Sequence, residues 1–220
     1  MIPVSAPPRV HRRLHAADDG PVPVVHRSRD AVYVDVAGRC VGVLGRRATA
    51  VPCGLRSGLD VLPDVGRAHV AGGMLHLDGE PVAVGRLHDV TVPRLPGRAR
   101  SAAPPPGDVT GTIGSGGGLT PYQDDVVCGW LAAHRAAGVP TPAVDAAVRR
   151  SLHRTTLLSA TLLECTLLGE VLPELAAWLA DPTDHEAADR LLAVGHSSGR
   201  GLLEGARAAL RALGPPAVAA

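Results

Sequence analysis

The sequence predicts an α+β protein in which a small β-barrel or sandwich-like domain precedes an all-α helical bundle. Three observations carry this. Short β-type runs punctuated by Gly and Pro fill residues 22–92. A Pro/Gly-rich linker follows over 93–112, containing Ala102-Ala103-Pro104-Pro105-Pro106. From 113 to 213 the hydrophobic period becomes helical, with Leu and Ala supplying the packed faces. Residues 1–21 read as a lead-in and 214–220 as a tail. A chain of 220 residues is long enough for one large or two small domains with a sizeable core.

In the first half, Arg9 to Leu14 and His15 suit a short helical turn within the lead-in. Ala31-Val32-Tyr33-Val34-Asp35-Val36 alternates, Ala37-Gly38 turns, and Cys40-Val41-Gly42-Val43-Leu44 continues the pattern. Met74–Leu77 and Pro81–Val84 flank Asp78-Gly79, a pair suited to a tight type I′ hairpin turn. Val90-Thr91-Val92 reads as one more strand. In the second half, a helix over Pro121–Ala137 is stopped by Gly138 and Pro140. A second runs from Thr141-Pro142 to Leu168, with a break near Arg149–His153, and ends at Gly169. Three more are expected over Leu172–Ala180, Asp184–Val194 and Ser198–Leu213.

Composition excludes several function classes. The formal net charge is +1, so no global field points to nucleic acid, membrane or an acidic partner. All 22 basic residues are Arg, while Lys, Asn and Phe are absent, the bias of a GC-rich genome rather than of phosphate recognition. Two Trp and two Tyr give no platform for stacking bases, so no nucleic-acid partner is expected. Cys40, Cys53, Cys128 and Cys165 form no CxxC pair, which argues against a zinc site or a disulfide framework. No h-region opens the chain, and no run approaches the ~18 apolar residues of a membrane helix. A cytoplasmic protein with reduced thiols and no membrane partner is the expectation.

Three segments of the helical half carry candidate chemistry. The first is Gly114-Ser115-Gly116-Gly117-Gly118-Leu119-Thr120-Pro121-Tyr122-Gln123-Asp124-Asp125. Thr120 suits an N-cap, Pro121 the first helical position, and Gln123 completes a capping box. Glycines let a backbone approach a ligand, and free N–H groups at a helix start bind anions. Asp124 and Asp125 would repel such an anion unless they point elsewhere or hold a cation. Consecutive helical residues stand ~100° apart, so one of the two carboxylates faces a ligand. It would bind Mg²⁺ bridging to phosphate, or accept hydrogen bonds from an amide. The alternative is a flexible linker running into an ordinary helix with an acidic first turn.

The second segment is Arg154-Thr155-Thr156 with Ser159. On a continuous helix Thr155 and Ser159 share a face, and Arg149, Arg150 and Arg154 would clamp an anion. The alternatives are hydroxyls bonded back to the preceding turn and a solvated basic face. The third is Gly195-His196-Ser197-Ser198-Gly199, which fits the G-x-S-x-G string of a hydrolase elbow. That elbow needs a triad His after the Ser, and no His follows His196. A glycine-bounded helix start fits better, with Ser197 or Ser198 as N-cap and His196 as a proton carrier or a structural histidine. No H-E-x-x-H pattern or close ligand pair is present, so no metal site is predicted.

Taken together, the G-x-G-x-G-L-T-P-x-x-D-D string at Gly114–Asp125, Arg154-Thr155-Thr156 with Ser159, and Gly195–Gly199 resemble the motifs of a bacterial family of unknown function. That family includes one subunit of the oxamate carbamoyltransferase of allantoin degradation. Ile113–Leu213 follows it closely, and the β half in outline. Two departures stand out: Tyr122-Gln123 where a small residue and Gly are expected, and Arg200-Gly201 where an acidic residue is expected. The resemblance implies a carbamoyltransferase-like enzyme or subunit handling a ureido or amide metabolite that bears a carboxylate or phosphate, alongside companion subunits. It implies catalytic roles for Asp124, Asp125 and His196. Gly116, Gly117, Gly118, Thr120, Arg154, Thr155, Thr156, Ser159, Ser197, Ser198 and Gly199 would form the substrate and anion pocket. No cofactor is implied, and Mg²⁺ is left open as an ion that a carboxylate of the pocket could bind. A non-catalytic metabolite-binding or scaffold subunit is the competing reading.

Overall fold

A computed structural model describes residues 1–95, 102, 104, 105 and 107–214, and the chain divides between Asp89 and Val90 into two units. The order of strands then helices is the α+β arrangement expected.

The first unit is one sheet of nine strands among the described residues: β1 (Ile2–Ala6), β2 (Gly20–Val22), β3 (Val24–Arg27), β4 (Ala31–Asp35), β5 (Cys40–Leu44), β6 (Gly54–Ser57), β7 (Ala68–Ala71), β8 (Met74–Leu77) and β9 (Glu80–Leu87). The strand order is β2-β7-β8-β9-β1-β6-β5-β4-β3. The two end strands, β2 and β3, are joined by Pro23 alone, so the edges must lie close together. The sheet is therefore curled nearly shut, which removes most of the exposed edge. Its interior is filled mainly by Val and Leu, including Val32, Val34, Val41, Val43, Leu55, Val70, Leu75 and Leu77. The hairpin at Asp78-Gly79 forms as expected. Both residues take positive φ, 47° and 86°, as a type I′ turn demands. The Asp78 carboxylate accepts from the backbone N–H groups of Gly66 and Arg67, which hold its pKa down.

Residues 1–21 are not a lead-in. Ile2–Ala6 is a central strand, parallel to β9 and antiparallel to β6. The period-two set Ile2, Val4 and Ala6 faces the core, and the prolines at 3, 7 and 8 obscured it. Helix α1 (Pro8–Ala16) follows, longer than the predicted turn, burying Val10 and Leu14.

The second unit contains α2 (Val109–Thr112), α3 (Tyr122–Ala136), α4 (Pro142–Ser151), a 3-10 turn (Leu152–Arg154), α5 (Leu157–Leu167), α6 (Pro173–Ala180), α7 (His185–Leu192) and α8 (Ser198–Leu213). The strand expected at Val90–Val92 belongs here. Thr91 bridges Glu170, Val92 N–H donates to Gly169, and Val171 N–H donates to Val90. The linker expected over 93–112 and the tail at 214–220 fall partly outside the described residues. Within the linker stretch, Leu95 N–H reaches the Ala136 carbonyl, and Val109–Thr112 is α2. No helix among the described residues is long and apolar enough to cross a membrane.

Helix α3 is the axis of this unit. From Asp124 to His134 every residue is buried, so it is enclosed on all sides rather than amphipathic. Its tightest neighbour is α8. A Cβ at Gly129 would lie 2.0 Å from the Leu202 carbonyl oxygen, and one at Gly205 would lie 1.9 Å from that of Val126. Glycine is what lets the two backbones touch. Gly205→Ala should therefore separate the helices, and overpacking of this kind costs about 1–3 kcal/mol. Circular dichroism melting checks this; an unchanged melting temperature would show that the helix pair tolerates the added methyl.

Candidate functional site

Three helix starts, those of α3, α5 and α8, are tied together by the side chains of the three motif segments. The start of α3 departs from the sequence expectation by one residue. Pro121 occupies the N-cap position, with no side-chain cap, and the capping box from Thr120 to Gln123 does not form. Instead the Thr120 hydroxyl lies 2.7 Å from that of Ser198, the first residue of α8. A hydroxyl partner in the third motif outcompetes the local cap.

Asp124 is fully buried, and its carboxylate is filled by the chain itself. Oδ1 accepts the Gly114 N–H at 2.7 Å. Oδ2 accepts the Thr155 hydroxyl at 2.5 Å and the Ser159 hydroxyl at 2.6 Å. The glycine loop thus donates to an anion, and that anion is Asp124. Gly114 has φ +84°, and a Cβ there would meet the Arg154 carbonyl oxygen at 2.2 Å, so the loop is pressed against the second motif. A cation at Asp124 would have to displace one of these donors. Among the described residues no three His, Cys, Asp or Glu side chains are grouped to hold a metal.

The break expected near Arg149–His153 is the 3-10 turn at Leu152–Arg154, and it extends over a non-helical Thr155-Thr156, so no single helix carries Thr155, Thr156 and Ser159. The hydroxyls cause the break. Thr156 caps α5 by accepting the Ser159 N–H at 3.1 Å, and it donates to the Leu119 carbonyl at 2.5 Å. Thr155 and Ser159 still converge, on Asp124, although they do not share one helix. The Arg154 guanidinium donates to the Thr110 and Gly111 carbonyls at the end of α2. Arg149 and Arg150 are exposed.

The Gly195–Gly199 turn follows the helix α7, not a strand, which removes the hydrolase elbow on geometric grounds as well. Ser197 is the N-cap residue of α8, and His196 is exposed beside it. Gly199 is there for packing, since a Cβ would sit 1.9 Å from the Leu191 carbonyl oxygen of α7. In the first loop, Gly116, Gly117 and Gly118 are exposed, and a Cβ at Gly117 or Gly118 would meet nothing within 4 Å.

Asp125 shares the burial of Asp124 but not its full set of partners. The residue is 4% exposed, and Oδ2 has no hydrogen-bond partner among the described residues. Burial pushes its pKa up to about 7; the Ser198 and Thr120 hydroxyls oppose the rise, and the Asp124 charge adds to it. Gly201 of α8 faces it, with a built Cβ 2.8 Å from the Asp125 Cβ. Sequence reasoning missed Gly201 as part of the site, recording it only as a departure from the family pattern. It also missed Tyr122, whose hydroxyl donates to Glu204 of α8 at 2.5 Å.

Residues 112–210 match the family model described as oxamate carbamoyltransferase subunit AllH. The matched stretch runs from the last residue of α2 into α8 and spans all three motif segments. This helical part of the chain is similar to that family. Comparison with curated proteins and with solved structures gives no match.

The raised pKa of Asp125 has a stability consequence. Its folded value of about 7 lies above an unfolded value near 3.9, so its contribution is fully present below pH ~3.9 and lost as pH rises through ~7. Above that, the buried charge costs up to about 4 kcal/mol relative to a neutral isostere. Asp125→Asn should therefore melt at or above the wild-type temperature at pH 8, while the advantage shrinks by more than half at pH 5. Scanning calorimetry at both values checks this; parallel pH dependence in the two proteins would contradict it.

Proposed function

Starting from the family match of residues 112–210, we propose that the chain is a carbamoyltransferase-like enzyme or enzyme subunit. It acts on a small ureido or amide metabolite with phosphate or carbamoyl phosphate. One observation carries the reading: Asp125 is a nearly dry carboxyl with a pKa near 7, placed where three helix starts meet. A group poised near neutral pH both takes and returns a proton efficiently. In the transfer direction a nitrogen attacks the carbamoyl carbon, the C–N bond forms, and the C–O bond to phosphate breaks. The attacking nitrogen gives its proton to Asp125. In the reverse direction Asp125 returns the proton to that nitrogen as phosphate attacks the same carbon.

The remaining motif residues have distinct parts. Gly116–Gly118 offer backbone N–H groups with room for an anion to approach, and Thr120, Ser197 and Ser198 add hydroxyl donors. His196 sits on the same turn as a second proton carrier. Asp124, Thr155, Thr156, Ser159 and Arg154 position these groups rather than touch substrate. The family is named for one subunit of an enzyme, which supports companion subunits here. The competing reading, a non-catalytic scaffold subunit, draws on the extent to which Asp124, Arg154, Thr155 and Ser159 spend their polar groups on one another.

Two assays separate these. Asp125→Asn should lower turnover by about 10²–10⁴, the usual worth of general base catalysis, with its fold intact. Retained turnover would remove Asp125 from the chemistry. The purified chain incubated alone with carbamoyl phosphate and candidate amines tests the scaffold reading, because turnover without companions excludes it.

A further inference from the structure

The β unit holds a second group of polar side chains that the carbamoyl chemistry leaves unused. Ser5 on β1 is the register partner of both Arg56 on β6 and Arg86 on β9. The three side chains therefore stand in a row on one face of the sheet. An irregularity in the β1–β9 ladder after Val4 places Arg86 rather than Gly85 opposite Ser5. His88 follows two residues later, its N–H bonded to the Ala6 carbonyl at 3.0 Å, which carries the ladder onward. Both His88 ring nitrogens are buried and have no hydrogen-bond partner among the described residues. Each such buried group is costly unless something pairs with it.

We propose that Ser5, Arg86 and His88, beside the Arg56 charge, form a binding site for a small phosphate-bearing anion in the β unit. Burial, then the charges of Arg56 and Arg86, holds His88 below its ordinary pKa, with Asp89 opposing, so the ring is neutral at pH 7. A neutral imidazole has one N–H donor and one acceptor nitrogen. Hydrogen phosphate matches that pair, since it presents both an acceptor oxygen and a P–OH donor. Sulfate and acetate carry no such proton at neutral pH and would leave the acceptor nitrogen unpaired. The Arg86 guanidinium and the Ser5 hydroxyl supply the remaining donors.

The test follows the His88 ring by NMR in the full chain, with His88→Gln assigning its signals, during titration with inorganic phosphate and, separately, sulfate. The expected result is a saturable shift at His88 with phosphate and a weaker one with sulfate. Arg86 is exposed, so Arg86→Gln should fold normally and raise the phosphate Kd at least tenfold, about 1.4 kcal/mol. Asp125→Asn should leave the His88 titration unchanged, which keeps this site separate from the carbamoyl chemistry. No shift at His88, equal midpoints for phosphate and sulfate, or an Arg86→Gln midpoint equal to wild type would each overturn the proposal.

Discussion

The carboxylate of Asp124 is the constraint on which the helical unit depends. One buried charge takes a backbone N–H from the glycine loop and two hydroxyls from the start of α5. Charge-assisted bonds of this kind are about twice as strong as neutral ones, and removing any donor would leave a buried anion short of partners. Two motif segments distant in sequence are thereby held at one place. The Gly114 N–H needs no outside anion to explain it. The repulsion foreseen between a bound anion and two adjacent carboxylates is resolved by assigning the first of them to the loop itself.

That assignment leaves Asp125 as the other half of a division of labour. Asp124 is satisfied and structural; Asp125 is nearly as dry but has an oxygen without a partner. The dryness has a packing cause. Gly129, Gly201 and Gly205 bring α3 and α8 into backbone contact, and Gly201 closes over the Asp125 side chain. The same glycines that stabilise the helix pair thus create the apolar surroundings that move a carboxyl toward neutral pH.

Local chemistry made part of this legible in the sequence. Asp78-Gly79 specifies its turn within two residues, and the helices after Gly138 announce themselves through Pro142, Asp184 and Gly169. The central strand Ile2–Ala6 could not be read so easily, because its pairing partners Ser57 and Val82 are remote and prolines surround it. The motif residues were identified as a group, yet their local geometry was misjudged at two points. Thr120 looked like an N-cap and Thr155-Thr156 like helix interior. In both cases a hydroxyl found a long-range partner, Ser198 or Asp124, that no window of sequence displays. The difference between two adjacent aspartates was equally hidden, since both Asp124 oxygens find donors while one Asp125 oxygen finds none among the described residues.

The central claim is that Asp125 is a carboxyl that changes protonation near neutral pH. Site-resolved carbon NMR of the aspartate carboxyls across a pH titration measures this directly. A midpoint near 7 for the Asp125 carboxyl is the predicted result. A midpoint near the ordinary ~3.9 of an aspartate would contradict the account, because Asp125 would then be a permanently charged residue with no proton to exchange at neutral pH.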